Sequence, residues 1–166
     1  MTGSYVLNVK DAPAHEHPIS GVTIDFDRPG EPPFRDTGIN IVVLQPGQPS
    51  CKYHSESVQE DFLVLGGECV LLLDGSERPL VAWDFVHCEP GAAHVFVGAG
   101  DGPCWILQIG ARREGSTLDY PVSALAAQYG ASSPGEDAHP YSDWPDEYAR
   151  VTPPWPPVCP PRTGHS

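Results

Sequence analysis

Residues 60–81 read EDFLVLGGECVLLLDGSERPLV, and this stretch decides the fold class. Two short apolar runs, FLVL and CVLLL, are punctuated first by Gly66-Gly67 and then by Asp74-Gly75, the dipeptides that supply the positive φ angles of two-residue hairpins. Strands over 60–65, 68–73 and 76–81 are therefore expected to run as an antiparallel meander. The same alternation of β-branched runs with Gly, Pro, Asp and Asn extends outward in both directions. Further strands are expected at 5–9, 21–26, 39–45, 51–54, 84–88, 93–98 and 103–110. This is the pattern of an all-β antiparallel barrel or sandwich. Helix is expected only over 121–129 (PVSALAAQY), which has Pro and Ser start signals, alanine in its interior and Gly130 to end it.

Beyond Gly130 the composition changes. Nine of the 20 prolines fall within residues 134–166, which excludes a central strand or a long helix there. The stretch TPPWPPVCPPR favours an extended, polyproline-like form, giving a tail that is flexible or draped on the surface. Trp144, Tyr148 and Trp155 are the side chains that would pack it against the barrel or a second subunit, because large aromatics are poorly suited to free solvation. The chain thus divides into a β-barrel domain, 1–130, and a proline-rich tail, 131–166, with no internal repeat.

With 22 Asp and Glu against 9 Lys and Arg, the chain carries a formal charge of −13, so its surface repels nucleic-acid phosphates and anionic lipid alike. No secretory leader is evident, and the longest aliphatic run, Val70 to Leu73, is far too short to span a bilayer. A cytoplasmic protein is expected. Cys51, Cys69, Cys88, Cys104 and Cys159 are odd in number, widely spaced and in no CxxC pair, so they read as reduced thiols, mostly small buried hydrophobes. No nucleophile elbow, P-loop or dinucleotide fingerprint is present, which leaves serine hydrolysis and nucleotide binding without support.

The chemistry gathers just ahead of the opening stretch, in KYHSESVQE (52–60). If this segment is extended, His54 and Glu56 leave the backbone on one face, and Glu60 opens the next strand where it can turn back toward them. In EPGAAHVFVG (89–98) a Pro-Gly turn delivers His94 to the head of another strand. Two imidazoles and up to two carboxylates then project from neighbouring strands into one end of the barrel. Such a buried mixed set is costly unless a divalent cation offsets its desolvation. His15, His17, His87, His139 and His165 read as satisfied surface histidines, and Gln59 as a turn or hydrogen-bonding residue.

These residues resemble the cupins, small β-barrels whose first motif is G-x5-H-x-H-x3-4-E-x6-G and whose second is G-x5-P-x-G-x2-H-x3-N. The likeness covers about residues 45–100. His54, Glu60 and Gly67 match the first motif, with Gly47 one residue early; Gly91 and His94 match the second. Glu56 stands where the family has its second histidine, and Trp83, Glu89 and Gly98 replace the expected Gly, Pro and Asn. The resemblance implies a cupin-like, jelly-roll barrel that pairs as a homodimer, with His54, Glu60 and His94 as metal ligands. A two-histidine, one-carboxylate set suits Fe(II), with Mn, Zn, Ni or Co also compatible. Glu56 is the open position: a fourth ligand, an outer-sphere base or a solvent-facing carboxylate. The function implied is that of a mononuclear metal enzyme, dioxygenase-like or using other metal-assisted chemistry, on a small organic molecule inside the barrel. The alternative is a small-molecule or metal-binding module without turnover.

Overall fold

The structure is a computed structural model that describes residues 3–135 and 137–154. Trp155, Cys159 and His165 lie outside the described residues. The described chain is almost entirely β: Ala14–His17 (β1), Gly21–Asp25 (β2), Thr37–Leu44 (β3), Ser55–Glu56 (β4), Glu60–Gly66 (β5), Glu68–Leu73 (β6), Ser76–Val81 (β7), Phe85–Cys88 (β8), His94–Ala99 (β9), Cys104–Ala111 (β10), Leu118–Asp119 (β11) and Ala149–Val151 (β12). The helix expected over 121–129 is a single turn, Ala124–Ala127 (α1), capped by the Ser123 hydroxyl, which accepts from Ala126 N at 3.2 Å. Among the described residues no helix is long and apolar enough to cross a membrane.

All pairings are antiparallel. One sheet has the order β12-β1-β2-β3-β10-β5-β8, a second β7-β6-β9, and β11 pairs β4. The two larger sheets face one another. Val42 and Leu44 of β3, Phe62 and Val64 of β5, Val86 and Cys88 of β8, and Cys104 and Ile106 of β10 meet Cys69 and Leu71 of β6 and Phe96 of β9 in the central core. The period of two that places these residues inward sends their neighbours outward, and those are buried as well. Ile41, Val43 and Trp105 are covered by Leu7, Val9, Ala12 and Ala14. Leu72 and Val95 are covered by Tyr53, Ala126 and Ala131. Continuous runs such as IVVL at 41–44 follow from burial on both faces.

Four expectations are corrected. Segment 5–9 is not a strand; it leads into a 3-10 turn at Val9–Asp11, and Leu7 and Val9 serve as a cover for the large sheet. The meander fails at its first turn, because β5 pairs β10 and β8 while β6 pairs β7 and β9. Gly67 is the corner between sheets. With φ at +78° and a Cβ that would lie 2.3 Å from the Pro103 carbonyl oxygen, only glycine allows the chain to pass there. The Asp74-Gly75 turn does close the β6–β7 hairpin, with φ of 46° and 76°. Segment 51–54 forms no strand beyond an isolated bridge at His54, and β4 is displaced to 55–56. Finally, AHEHP at 14–18 carries β1, and His17 is buried, not superficial. Its Nε2 bonds the Pro145 carbonyl at 2.8 Å, and its ring stacks on Trp144 at 5.5 Å.

The described part of the tail is anchored. β12 adds to the edge of β1, Tyr148 packs on His15 and His17, and Lys52 holds the segment from beneath. Lys52 is 0% exposed; its ammonium donates to Asp143 Oδ2 at 2.8 Å, Ser132 O at 3.0 Å and Gly130 O at 3.4 Å, and lies 4.7 Å from the Trp144 ring centre.

Trp83, at the place of the family's glycine, has φ of +78°, inside the turn closed by Asp84 N to Val81 O at 3.1 Å. A side chain there costs about 1–2 kcal/mol. The residue is 65% exposed, so little burial offsets that cost. Trp83→Gly is therefore expected to stabilise the fold by about 0.5–1 kcal/mol after the added freedom of the unfolded chain is subtracted, read as a higher urea midpoint at unchanged slope.

Candidate metal centre

His54 and His94 are brought together by the backbone. His54 N donates to His94 O at 3.1 Å and His94 N donates to His54 O at 2.8 Å. Such a reciprocal antiparallel pair puts both side chains on the same face, and the rings stand 4.8 Å apart between centres. The turn before His94 is held by Gly91 N donating to Glu56 O at 2.7 Å, with Gly91 at φ +89°. Glu60 begins β5 directly across from Gly110 of β10. The Glu60 carboxylate lies over Gly110, its Oε1 3.9 Å from where a Cβ would stand, in ordinary contact.

One ligand atom from each of His54, Glu60 and His94 lies within 4.8 Å of the others, and His94 Nε2 is 3.5 Å from Glu60 Oε2. The side chains of His94 and Glu60 are 2% and 13% exposed. Each imidazole is oriented through its other nitrogen: His54 Nδ1 contacts Lys52 O at 2.8 Å and Cys51 Sγ at 3.4 Å, and His94 Nδ1 contacts Ala92 O at 3.0 Å. A carbonyl can only accept, so Nδ1 carries the proton and Nε2 is the atom offered to a cation. Two Nε2 atoms and a carboxylate, held in this way at the end of an apolar barrel, fit a divalent transition metal.

The electrostatics are those of ligands lacking their cation. Burial and the neighbouring His54 charge push the His94 imidazole down to about 4. Burial and the Glu56 carboxylate push Glu60 up to about 7. Burial also opposes the His54 cation, but Cys51, the Lys52 carbonyl and Glu60 outweigh it and hold that ring up at about 10. A cation entering the group must displace the proton of His54 and, below about pH 7, that of Glu60 as well. Metal affinity is accordingly expected to climb with pH, by roughly two decades per unit near pH 6 and roughly one near pH 8.5. Competition against a chelator across that range checks it.

The group opens into a cavity of about 310 Å³. Phe62 and Phe96 close one side, with ring centres 4.7 Å apart and Phe62 5.2 Å from His94. Tyr120 lies 5.9 Å from the His54 ring and 5.6 Å from Tyr141. Burial raises both phenols, which therefore remain neutral. Glu56 lines the same cavity but is outside the three-residue group. Gln59 instead donates to Asp61 at 2.6 Å on the exterior, beside the exposed His87–Asp61 contact of 2.7 Å.

Several lining residues had no place in the sequence reading. Asn40 and Gln108 interrupt otherwise apolar strands at inward positions, a signal that the period of two could have revealed. Tyr141 comes from the proline-rich segment, where no local pattern points inward. Its hydroxyl accepts from Lys52 N at 3.2 Å.

A family model described as "Cupin domain" matches residues 40–110. No curated protein matches the chain. Among solved structures, an Acidithiobacillus ferrooxidans protein assigned as a sugar phosphate isomerase is 31% identical, with a TM-score of 0.50 over 52% of this chain. The chain spans 57% of that protein's length. A sugar phosphate isomerase from a cupin superfamily, of Silicibacter pomeroyi, is 28% identical with a TM-score of 0.53, covering 63% of this chain and 71% of its own. The polyketide cyclase RemF of Streptomyces resistomycificus is 16% identical with a TM-score of 0.58 over 72% of this chain and 87% of its own, a likeness of fold alone.

Proposed function

Since residues 40–110 of this chain form a cupin domain, we propose that it is a mononuclear metal enzyme in which His54, Glu60 and His94 hold one divalent ion and a small oxygen-bearing molecule reacts in the cavity beside them. The observation that carries this reading is the convergence of the two Nε2 atoms and the Glu60 carboxylate within 4.8 Å. A bound ion supplies polarisation of a substrate oxygen.

This chain's residues supply the rest. Glu56 is a carboxylate within the cavity and outside the ligand group, so it is free to take a proton from the hydroxyl-bearing carbon next to a carbonyl and return it to the carbonyl carbon, while the hydroxyl proton passes to the former carbonyl oxygen. Tyr120, kept neutral by burial and accepting from the Tyr141 hydroxyl, offers a hydroxyl donor to a substrate oxygen. Proton transfer of this kind is isomerase chemistry, and the relatives from Acidithiobacillus and Silicibacter assigned as sugar phosphate isomerases support it. A second reading, dioxygenase-like chemistry, is favoured by one feature: a two-histidine, one-carboxylate set leaves coordination positions open.

The test begins with protein purified without a histidine tag. One equivalent of a transition metal is expected in the wild type and less than a tenth of that in His94→Ala. Metal-loaded protein incubated with hydroxy-aldehydes and hydroxy-ketones in deuterated water is then expected to exchange a carbon-bound hydrogen, a signal lost in Glu56→Gln at unchanged metal content. Oxygen uptake without exchange would move the assignment to the oxygenase. Metal without either reaction would make the cavity a binding module, and wild-type protein that takes up no metal would remove the premise.

A further inference from the structure

The inward rows of the large sheet define what the cavity can hold. The register aligns Gly38, Gly110 and Glu60 across β3, β10 and β5, and one step deeper it aligns Asn40, Gln108 and Phe62. The first row therefore has two positions without side chains, and the Arg112 guanidinium and the Glu60 carboxylate lie over them. The second row lines that space with a pair of side-chain amides, on adjacent strands and directly opposite one another. Among the described residues neither amide is held by a protein hydrogen bond, and Asn40 Oδ1 is buried with no partner. Both amides line the cavity, so their polar atoms are positioned to meet a ligand's hydroxyls.

Charge narrows the ligand further. Among the described residues no lysine or arginine belongs to the cavity lining, whereas Glu56 and Glu60 do. Lys52 is sealed beneath it and committed to Asp143, Ser132 and Gly130. Arg112 reaches the rim over the inward face of Gly38, about where a side chain there would stand, but it donates to Phe34 O at 2.6 Å and its charge is met by Asp27 Oδ2 at 3.6 Å. A divalent ion is already balanced by the two carboxylates, which leaves no counter-charge for a phosphate or second carboxylate on the substrate.

Resting on the reading of this cavity as a metal-assisted active site, we propose that its substrate is an uncharged polyhydroxy-carbonyl molecule. The Asn40–Gln108 amide pair reads its hydroxyls and sets the specificity against phosphorylated analogues. A cavity of about 310 Å³ lies at the small end of ligand pockets and admits a molecule of the size of a pentose.

The experiment uses full-length protein loaded with Mn(II) and three matched probe pairs: dihydroxyacetone, D-xylulose and D-fructose, each against its terminal phosphate ester. Binding is read by calorimetry and by displacement of Mn(II)-bound water in proton relaxation. At least one neutral probe is expected to bind, with its phosphate ester at least tenfold weaker. Asn40→Leu and Gln108→Leu are each expected to weaken the neutral probe about tenfold, the loss of one hydrogen bond, with Mn(II) affinity unchanged. Asn40→Leu removes an unpaired polar atom, so its melting temperature is expected to hold and serves as the control for folding. Phosphate esters that bind as tightly as their neutral partners, neutral probes that all fail to bind, or an Asn40→Leu protein with undiminished affinity would each overturn the proposal. Failure of Mn(II) itself to bind the wild type would instead strike the metal assignment on which it rests.

Discussion

Glu60→Gln is expected to make the metal-free protein more stable at pH 8 and at the same time unable to hold a metal ion. Glu60 is pushed up to about 7 by burial and by Glu56, so the folded chain binds its proton more tightly than the unfolded chain does. Stability from this group is thus fully present at pH 4, falls as pH rises through 7, and stays lower above it. Glutamine keeps the shape of the protonated acid. At pH 4 the two proteins should melt alike, and at pH 8 the variant should gain on the order of 2–3 kcal/mol, about 5–10 °C in Tm. Excess metal reverses the order: the wild type gains about 2.7 kcal/mol at a hundred times Kd, and the variant gains none. Melting curves at both pH values, with and without metal, check both halves. A variant that is less stable than the wild type at pH 8 without metal would show that Glu60 is not strained by its own charge.

Lys52→Met is expected to detach the segment that carries Tyr141. Methionine can fill the volume but cannot donate to Ser132 O and Gly130 O, and Asp143, whose side chain is 47% exposed, turns back to solvent. The loss should be about 3 kcal/mol, or roughly 6–12 °C in Tm, most of it from carbonyls left without a donor. Proteolysis within residues 131–148 should accelerate, while the metal group, held by the His54–His94 backbone pair, keeps its affinity within a few-fold. A melt within a degree of the wild type would mean that other contacts hold the segment.

Where one strand meets two partners, the sequence was a poor guide. Gly66-Gly67 looks like a hairpin because the local requirement, positive φ, is the same at a hairpin and at a corner between sheets. Whether the second strand turns back on the first depends on Pro103 and Cys104, far along the chain, which press against Gly67. His17 was misjudged for a related reason, and the burial of Lys52 had no local sign. Each is buried by a segment more than 70 residues away, Pro145 and Trp144 over His17 and residues 130–144 over Lys52, and the local pattern around a polar residue does not register such a cover. The anchoring of Trp144 and Tyr148 had its only local hint in their large apolar rings.

What the sequence determined by itself is what short-range chemistry controls. The alternating apolar runs and glycine turns gave an antiparallel β fold with almost no helix. The resemblance of His54, Glu60, Gly67, Gly91 and His94 to the cupin motifs pointed to the three groups that meet. The tertiary structure alone decided that Glu56 stands outside that group, that Asn40 and Gln108 line the cavity beside it, and that Tyr141 returns to line it as well. The physical reason is that a side chain's direction follows from its own backbone, but its neighbours across a barrel are set by register and by which sheet each strand joins. Those are long-range choices made by the packing of the whole core.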